Sequence, residues 1–335
     1  MWCGLAGRDH GIRKKVEKFT KSKVLCYVTG DRQNQGIQIA QDAIDYVVHH
    51  LDTIGVTKNV SLVIYSRGGD LLAGWNIVNL IRQFCDELTV IVPMKAHSTA
   101  TLIALGATSV MMTKQATLGP IDPSVNGPLN PVAPGPNPMA RVPVGVESVS
   151  GYFDFVKSLG VTSEAQIAQL VISLSQQLNP LVLGNVYRSR TQIRMLGKRL
   201  LSSHINNGKK VDKILDFLCS ESGSHDYTIN RREAANELGL KIRKPTDSQY
   251  AVIKALHDDY ASELKLLTPY DPNVLLGQEP EIEYSVTRGL LESVDGGSTR
   301  FISRGKLRRL TMNGPAGPQE AMEDRRTFEA WHHED

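Results

Sequence analysis

From residue 24 onward the chain alternates short β-rich runs with stretches of helical spacing, and it does so four times. VLCYVT (24–29) precedes IAQDAIDYVVHHL (39–51), and VSLVIYS (60–66) precedes LLAGWNIVNLIRQF (71–84). TVIVP (89–93) precedes STATLIALGA (98–107), and SVMMT (109–113) supplies the fourth strand. In 71–84, Ile77, Leu80, Ile81 and Phe84 fall on one stripe, as an amphipathic helix requires. Strands joined by helical crossovers run parallel, with right-handed connections and helices covering the sheet. The expected class is therefore α/β.

Residues 120–143 break the rhythm. Half of the 16 prolines fall here. Proline removes a backbone donor and fixes φ, so this stretch reads as a loop, either at a substrate edge or on the surface. A helical region follows, beginning with ESVSGYFDFVKSLG (147–160). Ser163 and Gln166 read as a capping box, and Pro180 opens a long helix. Beyond about residue 270 the periodicity weakens, and the last 25 residues are polar and punctuated by Pro and Gly. The expected organisation is an N-terminal segment (1–23), a β/α domain (24–243), a helical C-terminal extension (244–311) and a disordered tail (312–335).

Several function classes lose support at this point. A net charge of +3 argues for no particular partner. Cys3, Cys26, Cys85 and Cys219 form no CxxC pair, and HExxH is absent, so no metal or other cofactor is expected. No apolar run is long enough for a membrane span, and the first residues lack a secretory h-region. A cytoplasmic location is expected, with no membrane contact. The cations Arg188, Arg190, Arg194, Lys198, Arg199, Lys209, Lys210 and Lys213 come without an aromatic platform. They read as a solvated face, and nucleic acid is not an expected partner.

Two neighbouring segments carry chemistry. RGGD (67–70) lies between a strand and a helix. Paired glycines there let backbone N–H groups point into a crevice, although a plain tight turn also explains them. KAHSTATLIALGA (95–107) places Ser98 between a strand and a helix of small residues. Amides at a helix start are unpaired and can stabilise an oxyanion, while a serine there can equally be an N-cap.

Gly-Gly after one strand, then a serine after the next and a small-residue helix, resembles the Clp protease and signal-peptide peptidase superfamily. ATLGPIDPS (116–124), together with SH (224–225) and ELGL (237–240), resembles the serine dehydrogenase proteinase family, a Clp-fold group. The resemblance covers roughly 24–243. It implies a Clp/crotonase-type spiral of β-β-α/β-α units, with Ser98 as nucleophile and the amides of Gly69 and Thr99 as oxyanion hole. It further implies a peptide or protein substrate beside Gly68, Asp70, His97 and Asp122, and assembly into a homo-oligomer.

The general base departs from the family pattern. Clp proteases use a histidine downstream of the serine, where this chain has Ile121 and Asp122. Signal-peptide peptidases use a lysine on a later helix, where this chain has Glu147. His225 is one candidate, with Asp226 falling at the position of the aspartate that supports the Clp histidine. Lys114 is a second, provided that burial lowers its pKa. Lys95 reads as a snorkelling or ion-paired side chain, and Asp122 either orients a base or, as is favoured, caps a turn. The leading reading is a serine peptidase. A crotonase-type acyl-CoA enzyme and a non-catalytic Clp-fold scaffold are the alternatives.

Overall fold

The computed structural model describes residues 10–135, 137–221, 224–314 and 317–334. Cys3 lies outside them. The chain forms two compact units, Met1–Leu118 with Ile229–Asp335, and Gly119–Thr228.

The first unit opens with α1 (His10–Thr20), β1 (Lys23–Thr29), a 3-10 turn (Gln41–Ala43) and α2 (Ile44–Ile54). It continues through β2 (Thr57–Tyr65), α3 (Leu71–Phe84), β3 (Cys85–Val92), β4 (Lys95–Ala96), α4 (Thr99–Leu105), β5 (Ser109–Met112) and β6 (Thr117–Leu118). β1, β2, β3 and β5 pair in parallel, with Leu25 beside Leu62, Leu62 beside Val90 and Val90 beside Val110. Val24–Thr29 and Val60–Tyr65 are buried without interruption. Burial on both faces explains why these strands read as apolar runs and not as alternating ones. In α3, Ile77, Val78 and Ile81 are buried, and every residue of α4 is buried. The two helices meet where a Cβ on Gly74 would come within 2.4 Å of Thr99 Cγ2.

The second unit contains β7 (Ser124–Val125), β8 (Val144–Gly145), α5 (Val146–Ser158), α6 (Glu164–Gln177), α7 (Pro180–Ser202) and α8 (Gly208–Asp216), then a π-helical turn, Phe217–Glu221. β7 and β8 pair antiparallel and close the proline-rich loop. Buried Asn130 staples that loop from within, its amide donating to Val125 O at 2.8 Å and Val142 O at 2.9 Å. Val125, Val144, Val146, Val182 and Val186 form the core beneath it. Ser163 stands at the N-cap of α6, but its hydroxyl makes no capping bond, so the expected box with Gln166 does not form. None of the residues of α6 is buried. On α7, Arg190, Arg194 and Lys198 face Glu147, Asp216 and Asp212, which leaves less free positive charge than the sequence suggests.

The chain then returns to the first unit with β9 (Ile229–Asn230), α9 (Arg231–Asn236), β10 (Ile242–Arg243), α10 (Asp247–Glu263) and α11 (Pro272–Leu276). It ends in β11 (Glu281–Ser293), β12 (Gly297–Gly314) and β13 (Gly317–Glu334). The completed sheet has the order β10-β5-β3-β2-β1-β11-β12-β13, and β11 to β13 are antiparallel. This corrects the expectation of a helical extension over 244–311 and a disordered tail over 312–335. The helix ends at Glu263, β12 crosses the anticipated boundary, and β13 lies wholly beyond it. Charged residues such as Arg304, Arg308 and Asp324 interrupt the apolar pattern of these strands. The Gly296–Gly297 pair between β11 and β12 was the available hairpin signal. The real capping box joins Thr246 and Gln249 at the start of α10.

His50 on α2 is fully buried where α2 meets the β11–β12 hairpin. Its Nδ1 lies 2.9 Å from Ser293 Oγ and its Nε2 lies 3.1 Å from Thr299 Oγ1. Burial, with His333 and His49 nearby, pushes its pKa down from the ordinary 6.5 to about 4. In that interval the unfolded chain binds a proton that the folded chain refuses. This contribution to stability is complete above pH 6.5 and is lost as pH falls towards about 4. Urea unfolding between those limits is expected to show stability rising with pH, with a shallower slope in His50→Gln.

Candidate active site

The turn after β2 is built on two glycines. Gly68 has φ 113° and Gly69 φ 150°, where a side chain is strained. Contact forbids one as well: a Cβ on Gly69 would lie 2.2 Å from Ile39 O. The close approach lets Ile39 N donate to Gly68 O at 2.9 Å and Asp70 N donate to Ile39 O at 2.7 Å. That pairing uses the groups on either side of Gly69 and leaves the Gly69 N–H without an acceptor among the described residues. Asp70 caps α3, its carboxylate accepting from Ala73 N at 2.6 Å and from Gln41 Nε2 at 3.1 Å. An expected substrate-side residue is thus already engaged.

Ser98 follows β4 with φ 52° and ψ −119°, a conformation that costs a non-glycine residue about 1–3 kcal/mol. The N-cap explanation of this serine fails, because its hydroxyl makes no capping bond. Among the described residues Oγ has no hydrogen-bond partner, and the side chain is only partly buried. A strained turn that lifts a free hydroxyl between strand and helix is the geometry of a nucleophile elbow. Backbone bonds hold it against the glycine turn: Ser66 N donates to Lys95 O at 3.2 Å, and His97 N to Ser66 O at 3.0 Å. Thr99 Oγ1 donates to Gly69 O at 2.7 Å, while the Thr99 N–H is unpaired among the described residues. A Cβ on Gly68 would lie 2.7 Å from Ser98 Cβ and 3.1 Å from its Oγ. The fold therefore brings Gly68, Gly69, Ser98 and Thr99 together. Ile39 belongs with them, yet no motif in the sequence marks it.

The remaining candidates are distributed as follows. His97 is half-buried with Nε2 2.9 Å from Thr117 Oγ1. Lys95 is ion-paired to Asp31 at 2.9 Å. Lys114 is exposed and lies over the Tyr250 ring, 4.6 Å from its centroid, so the burial that a lysine base needs is missing. In the second unit His225 Nδ1 lies 2.9 Å from Asp122 Oδ1. Asp226 makes no such bond; its N–H donates to Ser224 Oγ at 3.2 Å. The carboxylate that orients His225 is thus Asp122 and not Asp226, because the 122 loop carries its oxygen to the ring. The hydrogen bond that His225 donates to Asp122, and the charge of that carboxylate, raise the His225 pKa against the opposing effect of burial. Among the described residues no group of three or more His, Cys, Asp or Glu is arranged to hold a metal.

Residues 10–133 match the family of ClpP-like SDH-type serine proteinases. The matched span contains the glycine turn, Ser98 and the LGPIDP stretch, and it stops short of His225. Among curated proteins, the uncharacterized protein MJ0137 of Methanocaldococcus jannaschii is 41% identical over 68 residues, covering 20% of this chain and 24% of that protein. Uncharacterized protein MJ1495 of the same organism is 38% identical over 66 residues, covering 20% and 23%. The chain thus spans about a quarter of the length of these curated relatives. Among solved structures, a mutant of the 1510-N membrane-bound stomatin-specific protease is 15% identical, with a TM-score of 0.39, covering 68% of this chain and 82% of that one. A second mutant of the same protease, in complex with a substrate peptide, is 14% identical with a TM-score of 0.38, covering 68% and 78%. In the present protein, among the described residues, no helix is long and apolar enough to cross a membrane.

The pair in the second unit makes its own prediction. A histidine stabilised as its cation by a carboxylate keeps its proton to a higher pH than a free one. In an NMR titration His225 is expected to titrate above the ordinary 6.5. Asp122→Asn should return it towards that value, and Asp226→Asn should move it less. An unchanged His225 titration in Asp122→Asn would show that the pair does not form in solution.

Proposed function

We propose that this protein is a serine peptidase whose nucleophile is Ser98 and whose oxyanion hole is formed by the N–H groups of Gly69 and Thr99. The observation that carries this reading is the strained, uncapped serine held against the glycine turn. An extended peptide would place its carbonyl carbon at Ser98 Oγ. As the hydroxyl oxygen attacks, its proton passes to a base and the carbonyl π electrons move onto oxygen. The two amides receive that oxyanion, and one such donor is worth about 3–4 kcal/mol in the transition state. Collapse expels the amine, which takes up the proton, and leaves an acyl-enzyme that water hydrolyses.

A fluorophosphonate probe tests the reading directly. It should label the wild-type protein covalently at Ser98, and Ser98→Ala should abolish the adduct. Gly69→Ala drives a methyl group into Ile39 and is expected to slow labelling by about a hundredfold or more. Wild-type protein that stays unlabelled under conditions where other serine hydrolases react would remove the peptidase proposal.

We also propose that the chain acts as a homo-oligomer. In the second unit Phe155 of α5, Leu159 at its C-cap, Ile172 of α6, and Leu181 and Tyr187 of α7 are exposed. Large apolar side chains left exposed on successive helices are the kind of surface that a partner ordinarily covers. Light scattering is expected to give a mass that is a multiple of the monomer, and Ile172→Asp should lower it. A monomer at micromolar concentration would refute the assembly.

A further inference from the structure

Asp31 follows β1 in a segment with no motif, and its carboxylate is largely buried, 11% exposed. Three donors converge on it. The Tyr65 hydroxyl donates to Oδ1 at 2.7 Å, while Arg67 Nε and Lys95 Nζ each reach Oδ2 at 2.9 Å. Tyr65 ends β2, Arg67 immediately precedes Gly68, and Lys95 stands three residues before Ser98. The Lys95 ammonium also lies over the Tyr65 ring, 5.4 Å from its centroid, and the His257 ring packs 5.5 Å from the same ring. Burial alone would raise the Asp31 pKa, but the hydrogen bonds from Lys95 and Tyr65 outweigh it and hold the group below its ordinary value. The segment that begins at Asp31 ends at Ile39, which pins the carbonyl of Gly68 and the amide of Asp70. One stretch of chain thus grips the glycine turn at two points, and through Lys95 it also holds the serine turn.

Removing this carboxylate would leave two cations facing each other without a counter-charge, one of them largely buried. Neither cation has a second acidic partner among the described residues. We propose that Asp31 is the positioning residue of the Ser98 site, fixing the glycine turn through Arg67 and the serine turn through Lys95 so that hydroxyl and amides keep one geometry. Asp31 does not touch substrate. Its kinetic consequence rests on the proposed nucleophile; its structural consequence does not.

The test uses the full chain and two readouts. Hydrogen exchange is followed by mass spectrometry over residues 66–70 and 95–101, and the fluorophosphonate labelling rate is measured on the same samples. Asp31→Asn preserves size and removes charge. It is expected to accelerate exchange in both segments and to slow labelling between about ten- and a hundredfold, as small misplacements of reacting groups do. Exchange in α2 and across β11–β12 should stay at the wild-type level. Asp31→Glu should fall between wild type and Asp31→Asn. Asp295→Asn, which removes the exposed partner of Lys23, is the control and should match wild type in both readouts. Wild-type exchange in both segments of Asp31→Asn, or acceleration in one alone, would overturn the assignment. So would a loss of labelling matched by faster exchange throughout the unit. Should Asp31→Asn fail to fold, Lys95→Met removes one arm and must speed exchange over 95–101 and slow labelling; wild-type values there overturn the proposal. If the wild-type protein does not label at all, the peptidase reading falls and the exchange data alone decide the role of Asp31.

Discussion

The contact between Ile39 and the glycine turn is the constraint from which the rest of the site follows. Backbone meets backbone there at a distance that no Cβ would permit. Because Ile39 takes the carbonyl of Gly68 and the amide of Asp70, the intervening Gly69 amide is left over. The Thr99 hydroxyl then ties the serine turn to the carbonyl of the same glycine. Gly69 is only partly withdrawn from solvent, and an amide left without an acceptor there contributes no hydrogen bond to the fold, a local liability. The strain at Ser98 is a second liability in the same place. Two local costs in adjacent turns, held by a buried parallel sheet, are the pattern expected where structure is maintained for chemistry and not for stability alone.

Much of this frame was legible in the sequence, and the reason is physical. Strands buried on both faces must be continuously apolar, so β1, β2, β3 and β5 announced themselves. α3 was read with its observed limits because Asp70 stops it on one side and its apolar stripe ends at Phe84 on the other. The glycine turn and Ser98 were visible because both have local signatures. Asp31 and Ile39 were not, since their contribution is a matter of where the chain returns in space. Asp122 was open to two readings from sequence, orienting a base or capping a turn, because only the folded chain shows that its carboxylate, and not that of the adjacent Asp226, reaches the His225 ring. β11 to β13 were missed because their charged residues dilute the alternation of buried and exposed positions.

Charge in the first unit is arranged around buried acids. Glu292 pairs with Arg13 between β11 and α1, and both side chains are almost wholly withdrawn from solvent. Tyr260 of α10 lies in the same region and packs with Val16 and Leu256. Truncating one member of such a pair costs about 3–5 kcal/mol, chiefly because the other charge remains buried. These ties fasten α1 and α10 onto the far half of the sheet, while the Asp31 cluster occupies the strand ends that carry the glycine and serine turns. Structural and site-forming charges therefore occupy different parts of one sheet.

The pairing of β1 with β11 has a consequence for how the protein is made. Leu25 lies beside Ser293, so the middle of the sheet joins the first strand of the chain to one near its end. On a ribosome β1 and β2 emerge long before their outer neighbour exists, and the open side of β1 waits as an unfilled template through the synthesis of the whole inserted unit. Closing so large a loop is slow, and an exposed apolar strand is prone to wrong partners during the delay. For this chain the vulnerable period is birth, when chaperone capture would matter most.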